Sequence, residues 1–259
     1  ARRLKAEMEE DLRIEKARQE AVYNINVILI TRKKFNSYVD FDLYPDPTNE
    51  EFYESSLYDA NSFPLTLQVK RDDSFLNFFI LVGVKLGYIP EDYTPQDEDD
   101  FKKLPYRLVA MNHRNNRTNR SDTAVPFERF DSTVSDIFFE FFNRKHDEMS
   151  FYVEDTRDEL YNVANNTKES QIESQNFNFD QVFSKIESNS TRFEFPTISE
   201  LSTEIMIFIK YFDSISSQLR GLTFVYAKKD QPIGELTGPL NKLLGFNTSN
   251  KFIFYEELS

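Results

Sequence analysis

His113 and His146 are the only imidazoles in this 259-residue chain, and it has no cysteine. A histidine serves as a general base only with a nucleophile in reach and a third group to orient it. Neither histidine has such neighbours in the sequence, so both read as surface residues. Without cysteine there is no thiol nucleophile, no thiolate metal site and no disulfide framework. Two histidines far apart are a poor zinc signal as well. Carboxylates are abundant, with 44 Asp and Glu. A hydrolase using paired carboxylates is therefore one reading, but no recognisable catalytic arrangement supports it. The expectation is a chain with no catalytic residue, no metal and no cofactor.

The remaining charged clusters suit binding. Glu91-Asp92 leads to the dense run Asp97, Glu98, Asp99 and Asp100. The run is either a solvated loop or a dock for a Lys/Arg-rich peptide, whose affinity salt would weaken by screening. A basic stretch follows His113 and holds Arg114, Arg117 and Arg120. It could pair with an acidic partner or a neighbouring domain. It lacks interleaved aromatics, so it has no stacking platform for single-stranded nucleic acid. Net charge is −13, which repels a phosphate backbone. The partners expected are proteins with basic segments, with no nucleic acid and no membrane. The acidic-aromatic segment Asp40-Phe41-Asp42-Leu43-Tyr44 reads either as a short linear motif or as a segment packed on its own domain.

The elements that must position these groups repeat along the chain. Ile25–Thr31 predicts a strand, Leu65–Val69 a second, Ser74–Leu86 a helix ending at Gly87-Tyr88, and Tyr106–Met111 a third strand. Asp72-Asp73-Ser74 supplies a cap for that helix. The order returns near the end: a strand over Ile205–Tyr211, another over Leu222–Tyr226, a short helix ending at Gly245-Phe246, and a third strand over Phe252–Tyr255. Gly238-Pro239 falls inside the later helix and should split or delay it. The copies align with Leu65-Thr66 on Leu222-Thr223 and Asp73 on Asp230. Strand, strand, helix, strand is how a ubiquitin-like β-grasp domain begins. Its last strand lies mid-sheet and must be apolar, a demand met by Phe151, Tyr152 and Val153 in Met149–Val153.

The predicted fold class is α+β. Residues 1–21 form a charged connecting helix, 22–154 a first ubiquitin-like domain, 155–202 a polar linker, and 203–259 a second ubiquitin-like domain that is truncated after its third strand. In 1–21, six basic residues alternate with six acidic ones around a thin apolar stripe of Leu4, Met8, Leu12 and Ile14. Such a helix has little to bury and reads as a spacer, or as partly docked on its own domain. Residues 34–62 and the basic loop within 112–135 read as insertions. The most apolar run, Phe75–Leu86, is broken by Asn77 and Lys85 and is too short for the ~20 residues of a membrane span.

Several stretches carry a resemblance. Arg18-Gln19-Glu20-Ala21 leads into Tyr23, Arg107-Leu108 and Met111 precede an Arg/Asn-rich loop, and Ile207 to Asp213 is followed by Gly245-Phe246 and Ile253 to Glu257. Together they resemble the ubiquitin-like region that follows the catalytic domain in the herpesvirus-associated ubiquitin-specific protease family. The Asn- and Phe-rich composition is similar to a fungal member. The likeness covers the chain except 34–62 and 155–202. It implies a cysteine-protease parent that removes ubiquitin, with its catalytic residues upstream and the catalytic domain as a partner. It further implies ubiquitinated substrates as indirect partners and a cytoplasmic setting, with the nucleus as a second one. This chain would then recruit substrates and regulators. The alternative is a free-standing adaptor with tandem ubiquitin-like or Ras-association-type domains. Ubiquitin binds partners through an apolar patch on its sheet. The likeness follows the core, and no match to that patch is expected here.

Overall fold

The computed structural model describes residues 12–13, 23–44, 64–94, 104–113, 119–142, 148–155, 203–244, 246–247 and 249–257. It is a mixed α/β structure with few helices, built around a five-stranded sheet and a separate two-stranded hairpin.

The sheet comprises β1 (Asn24–Thr31), β2 (Leu65–Lys70), β3 (Tyr106–His113), β4 (Asn119–Ala124) and β5 (Glu148–Asp155), in the spatial order β2-β1-β5-β3-β4. β5 runs parallel to β1 and antiparallel to β3. It is central, as its sequence predicts, and every residue from Met149 to Glu154 is buried. Alternation along the strands divides two cores. Ile25, Val27, Leu29, Leu108, Ala110, Met149, Phe151 and Val153 face helices α2 (Phe75–Lys85) and α3 (Val134–Phe141). Ile28, Ile30, Val109, Met111 and Tyr152 face the opposite way.

The helices bind each other at their N-termini. Ser74 caps α2 without a side-chain hydrogen bond, contrary to the expected Asp72-Asp73-Ser74 cap. The orphan amides at the start of α2 instead reach the backbone before α3. Phe75 donates to Ser132 O at 2.9 Å and Leu76 to Phe130 O at 3.1 Å, while Val134 donates back to Asp73 O at 2.9 Å. α3 has a full capping box between Thr133 and Asp136. At the far end of α2, Gly87 takes φ +74°, and Tyr88 donates to Gly83 O at 2.8 Å. That left-handed exit explains why the predicted Gly87-Tyr88 stop holds.

Two expectations need correction. Residues 112–135 are more than a basic loop, because β4, a short 3-10 turn (Phe127–Arg129) and α3 begin within them. Helix α1 (Arg32–Ser37) begins just after β1 and runs into the 34–62 stretch, where Leu43 and Tyr44 are buried, as the packed reading of that segment requires. The third strand at Phe252–Tyr255 is an extended segment without a ladder among the described residues. Phe252 and Phe254 pack inward, whereas Ile253 and Tyr255 are 79% and 86% exposed. Side chains alternate there as in a strand, but no neighbouring strand among the described residues pairs with it.

The hairpin is β6 (Glu204–Asp213) and β7 (Gln218–Lys228), antiparallel, with a register shift between Ile209 and Lys210. A 3-10 turn (Ile233–Leu236) and α4 (Thr237–Leu244) follow. Pro239 lies in the first turn of α4, where its missing N–H leaves no gap. The expected split is this change from 3-10 to α geometry. One hairpin face, Met206, Phe208, Phe224 and Tyr226, packs on the second face of the sheet. The other, Ile207, Ile209, Val225 and Ala227, packs against Leu236 and Leu240. The layers therefore run helices, sheet, hairpin, helix.

Of the predicted 1–21 helix, only Leu12 and Arg13 are described; both are helical and Leu12 is 74% exposed. The predicted linker lies outside the described residues except Asp155. No helix among the described residues is long and apolar enough to cross a membrane.

Candidate functional site: the seam between sheet and hairpin

The best-defined cluster of charged and aromatic side chains is the seam where the hairpin lies on the sheet. Its centre is aromatic. Phe208 meets Phe35 edge-on at 5.1 Å and Tyr152 at 4.9 Å, and Tyr152 meets Phe224 at 5.5 Å. Edge-to-face contacts of this kind add to area burial and fix orientation. Gly221 of β7 lies so close to Phe35 that an added Cβ would overlap the Phe35 carbonyl oxygen. Only glycine permits this approach of β7 to α1.

At one end of the seam sits a buried carboxylate. Glu154 of β5, with a fully buried side chain, accepts from Arg107 Nε at 2.9 Å, and Arg107 Nη2 lies 2.7 Å from the same oxygen as an ion pair. Its other oxygen accepts from Tyr226 of β7 at 2.7 Å. The guanidinium charge and the Tyr226 hydroxyl offset the loss of water around the carboxylate.

At the other end, three chain segments converge. Lys210 Nζ of β6 donates to Asp40 O at 2.7 Å and to Glu257 Oε1 at 3.1 Å, and lies 5.6 Å from the Tyr38 ring centre. Burial pushes its pKa down, while Glu257, Asp42 and Asp40 pull it back up. The Asp42 N–H donates to the same Glu257 oxygen at 2.6 Å. Arg120 Nη2 of β4 donates to Glu257 O at 2.6 Å, and Nη1 to Asn119 O at 3.0 Å. Ser121 Oγ donates to Met206 O. Segment 251–257 is thus tied to β4, β6 and the 38–44 segment at once.

Of the binding residues predicted from sequence, Arg120 alone is described, and its guanidinium is engaged with Asn119 O and Glu257 O. Asp97, Glu98, Asp99, Asp100, Arg114 and Arg117 lie outside the described residues, as does His146. His113 ends β3. Among the described residues no group of His, Cys, Asp and Glu could hold a metal ion. Sequence reasoning missed Lys210, Glu257, Glu154 and Tyr226 as site residues; of the two readings it left open for Asp40-Phe41-Asp42-Leu43-Tyr44, the packed one is observed, with Leu43 and Tyr44 buried. One signal was available: Ile205-Met206-Ile207-Phe208-Ile209 has no polar face, so the strand requires cover on both sides.

Among the described residues, the seam's hydrogen bonds, ion pairs and ring contacts hold chain segments together. The model of the ICP0-binding domain of Ubiquitin-specific protease 7 matches residues 106–259, from β3 through the hairpin and segment 251–257. The chain belongs to that family. It is accordingly related to a deubiquitinase, and its lack of cysteine is that of a non-catalytic region. No curated protein matches the chain.

Proposed function

We propose that this chain is a substrate- and regulator-recruiting module of a ubiquitin-specific cysteine protease. The observation that carries this reading is the family match across 106–259 in a chain without cysteine. It also favours this reading over a free-standing adaptor.

The module reads as two ubiquitin-like β-grasp domains, 22–154 and 203–259, behind a connecting helix at 1–21 and joined by a linker at 155–202. The order β2-β1-β5-β3-β4, with β5 parallel to β1, supports the first assignment. Strand, strand, helix and extended segment in 204–257 support the second, which lacks, among the described residues, a strand between β6 and 251–257. The hairpin covers the sheet face opposite α2 and α3. Partners would therefore dock on loops, edges and helices, in line with the absent match to the apolar patch of ubiquitin.

The matched family is named for binding ICP0, a protein partner. For this chain the partners are proteins with basic segments, held by Asp97, Glu98, Asp99 and Asp100. Arg114 and Arg117 pair with an acidic surface such as the catalytic domain, whereas the expected third member, Arg120, is engaged within the seam. The setting is cytoplasmic and nuclear, and the composition is that of a fungal member.

The test captures the endogenous protein through an antibody to 155–202 and assays a ubiquitin–fluorophore conjugate. Alkylator-sensitive hydrolysis, absent from the purified 259-residue chain, supports the reading. An inactive captured protein overturns it in favour of the adaptor. Charge reversal at the four acidic residues should release basic partners, and binding should weaken with salt. Every partner remaining bound would remove that site.

A further inference from the structure

Asp42 occupies an unusual position in the seam. Its φ of +66° lies in the left-handed region, which aspartate tolerates better than most residues. Its Oδ1 accepts from the N–H groups of Leu43 and Asn119, both at 2.9 Å. Its Oδ2 accepts from Asn119 Nδ2 at 2.8 Å. Asn119 itself is 2% exposed, and its Oδ1 is buried without a hydrogen-bond partner.

A buried amide oxygen without a donor costs free energy. An ionised carboxylate offers it nothing, because it only accepts. A neutral carboxyl has one O–H. A half-turn of the Asn119 amide would bring Oδ1 to face that O–H. Asp42 Oδ2 and Asn119 Oδ1 would then be paired, with Oδ1 of Asp42 still accepting the two backbone amides.

We propose that Asp42 and Asn119 form a buried proton-binding site in the seam, whose occupation tightens the seat of the 38–44 segment against β4 and the hairpin. The step takes one proton from solvent onto Asp42 Oδ2 and exchanges an N–H···O bond for an O–H···O bond.

The surrounding charges agree. Acidic groups come from Asp40 on the same segment, Glu257 on the C-terminal segment and Glu148 on β5 beside Tyr44. The cations are Lys210 of β6 and Arg120 of β4. Burial pushes the Asp42 carboxyl above the ordinary 3.8, against the pull of Asn119, Leu43 and Lys210. A raised folded-state pKa means the folded chain holds more protons than the unfolded one. The resulting stability is fully present below 3.8 and is lost as pH rises through the folded value.

The test is a carbon-13 titration of the Asp42 carboxyl in the 259-residue chain, with the Asn119 side-chain amide followed in parallel. The expected result is a midpoint above 3.8 with the amide resonances moving at the same midpoint. A midpoint at or below 3.8, or an amide that does not follow, overturns the site. In Asp42→Asn, the acid-side rise in thermal stability over that window should disappear; an unchanged rise overturns it. Should the variant not fold, the wild-type titration decides alone.

Discussion

The hydroxyl of Tyr226 donates to Glu154 Oε1 at 2.7 Å, joining β7 of the hairpin to the central strand of the sheet. The two residues are 72 apart in sequence, and the Glu154 side chain is fully buried. Removing the hydroxyl leaves a desolvated oxygen without its donor. Tyr226→Phe should destabilise the chain by about 1–3 kcal/mol. Urea unfolding checks this, with Tyr255→Phe as the control, since Tyr255 is 86% exposed and should change nothing. Equal midpoints for Tyr226→Phe and wild type would refute it.

Gly221 should be intolerant of any side chain. A Cβ there meets backbone, which cannot rotate away as a flexible side chain would. Gly221→Ala should cost about 1–3 kcal/mol by overpacking. It should also increase hydrogen exchange in β6 and β7. Gly234→Ala provides the contrast, because a Cβ at Gly234 meets nothing within 4 Å.

Lys210 carries a buried charge, with its side chain 7% exposed. Lys210→Met keeps the length but leaves Glu257 without its cation. The expected loss is about 3–5 kcal/mol, the usual cost of breaking a buried pair. The wild-type pH dependence has a definite sign. A lysine with a depressed folded pKa releases its proton earlier in the folded chain than in the unfolded one. Its contribution to stability therefore rises with pH between the folded value and 10.5. Lys210→Met should abolish that alkaline increment, and thermal melts across the range would show whether it does.

The capping box of α3 predicts an acid response. Thr133 hydrogen bonds lower the pKa of Asp136, first through the hydroxyl and then through the backbone N–H. A depressed carboxyl contributes stability that is present above 3.8 and lost as pH falls through its folded value. Thr133→Ala removes the larger of these bonds. It should lower Tm at neutral pH and shrink the acid-side decline. An unaltered decline would show that the box does not act this way.

Local patterns carried much of the fold. Alternation marked β2 and the start of β1, and short apolar runs marked β3 and the hairpin strands, because a strand must present at least one face to a core. The apolar run at Phe151-Tyr152-Val153 signalled a central strand, and Gly87 marked a helix end. β4 was less legible: Asn119–Ala124 reads NRSDTA and has no apolar alternation. Its place in the ladder comes from pairing with β3, a partner that local residues do not name. α3 was missed for another reason, since Thr133 and Asp136 form its start within a stretch taken as a basic loop.

The sequence by itself determined where β1, β2, β3, β5, α2 and the two hairpin strands form, and that this chain supplies no thiol, since both follow from residue type and short-range pattern. Only the tertiary structure decided the seam. The Asp42 N–H meets Glu257 across 215 residues, and Lys210 reaches Asp40 across 170. Such contacts leave no periodic trace in the residues between. They arise because a hairpin apolar on both faces must cover two surfaces, and the second face of the sheet is one of them. Once it is covered, the charged groups at its ends lose water and must find one another.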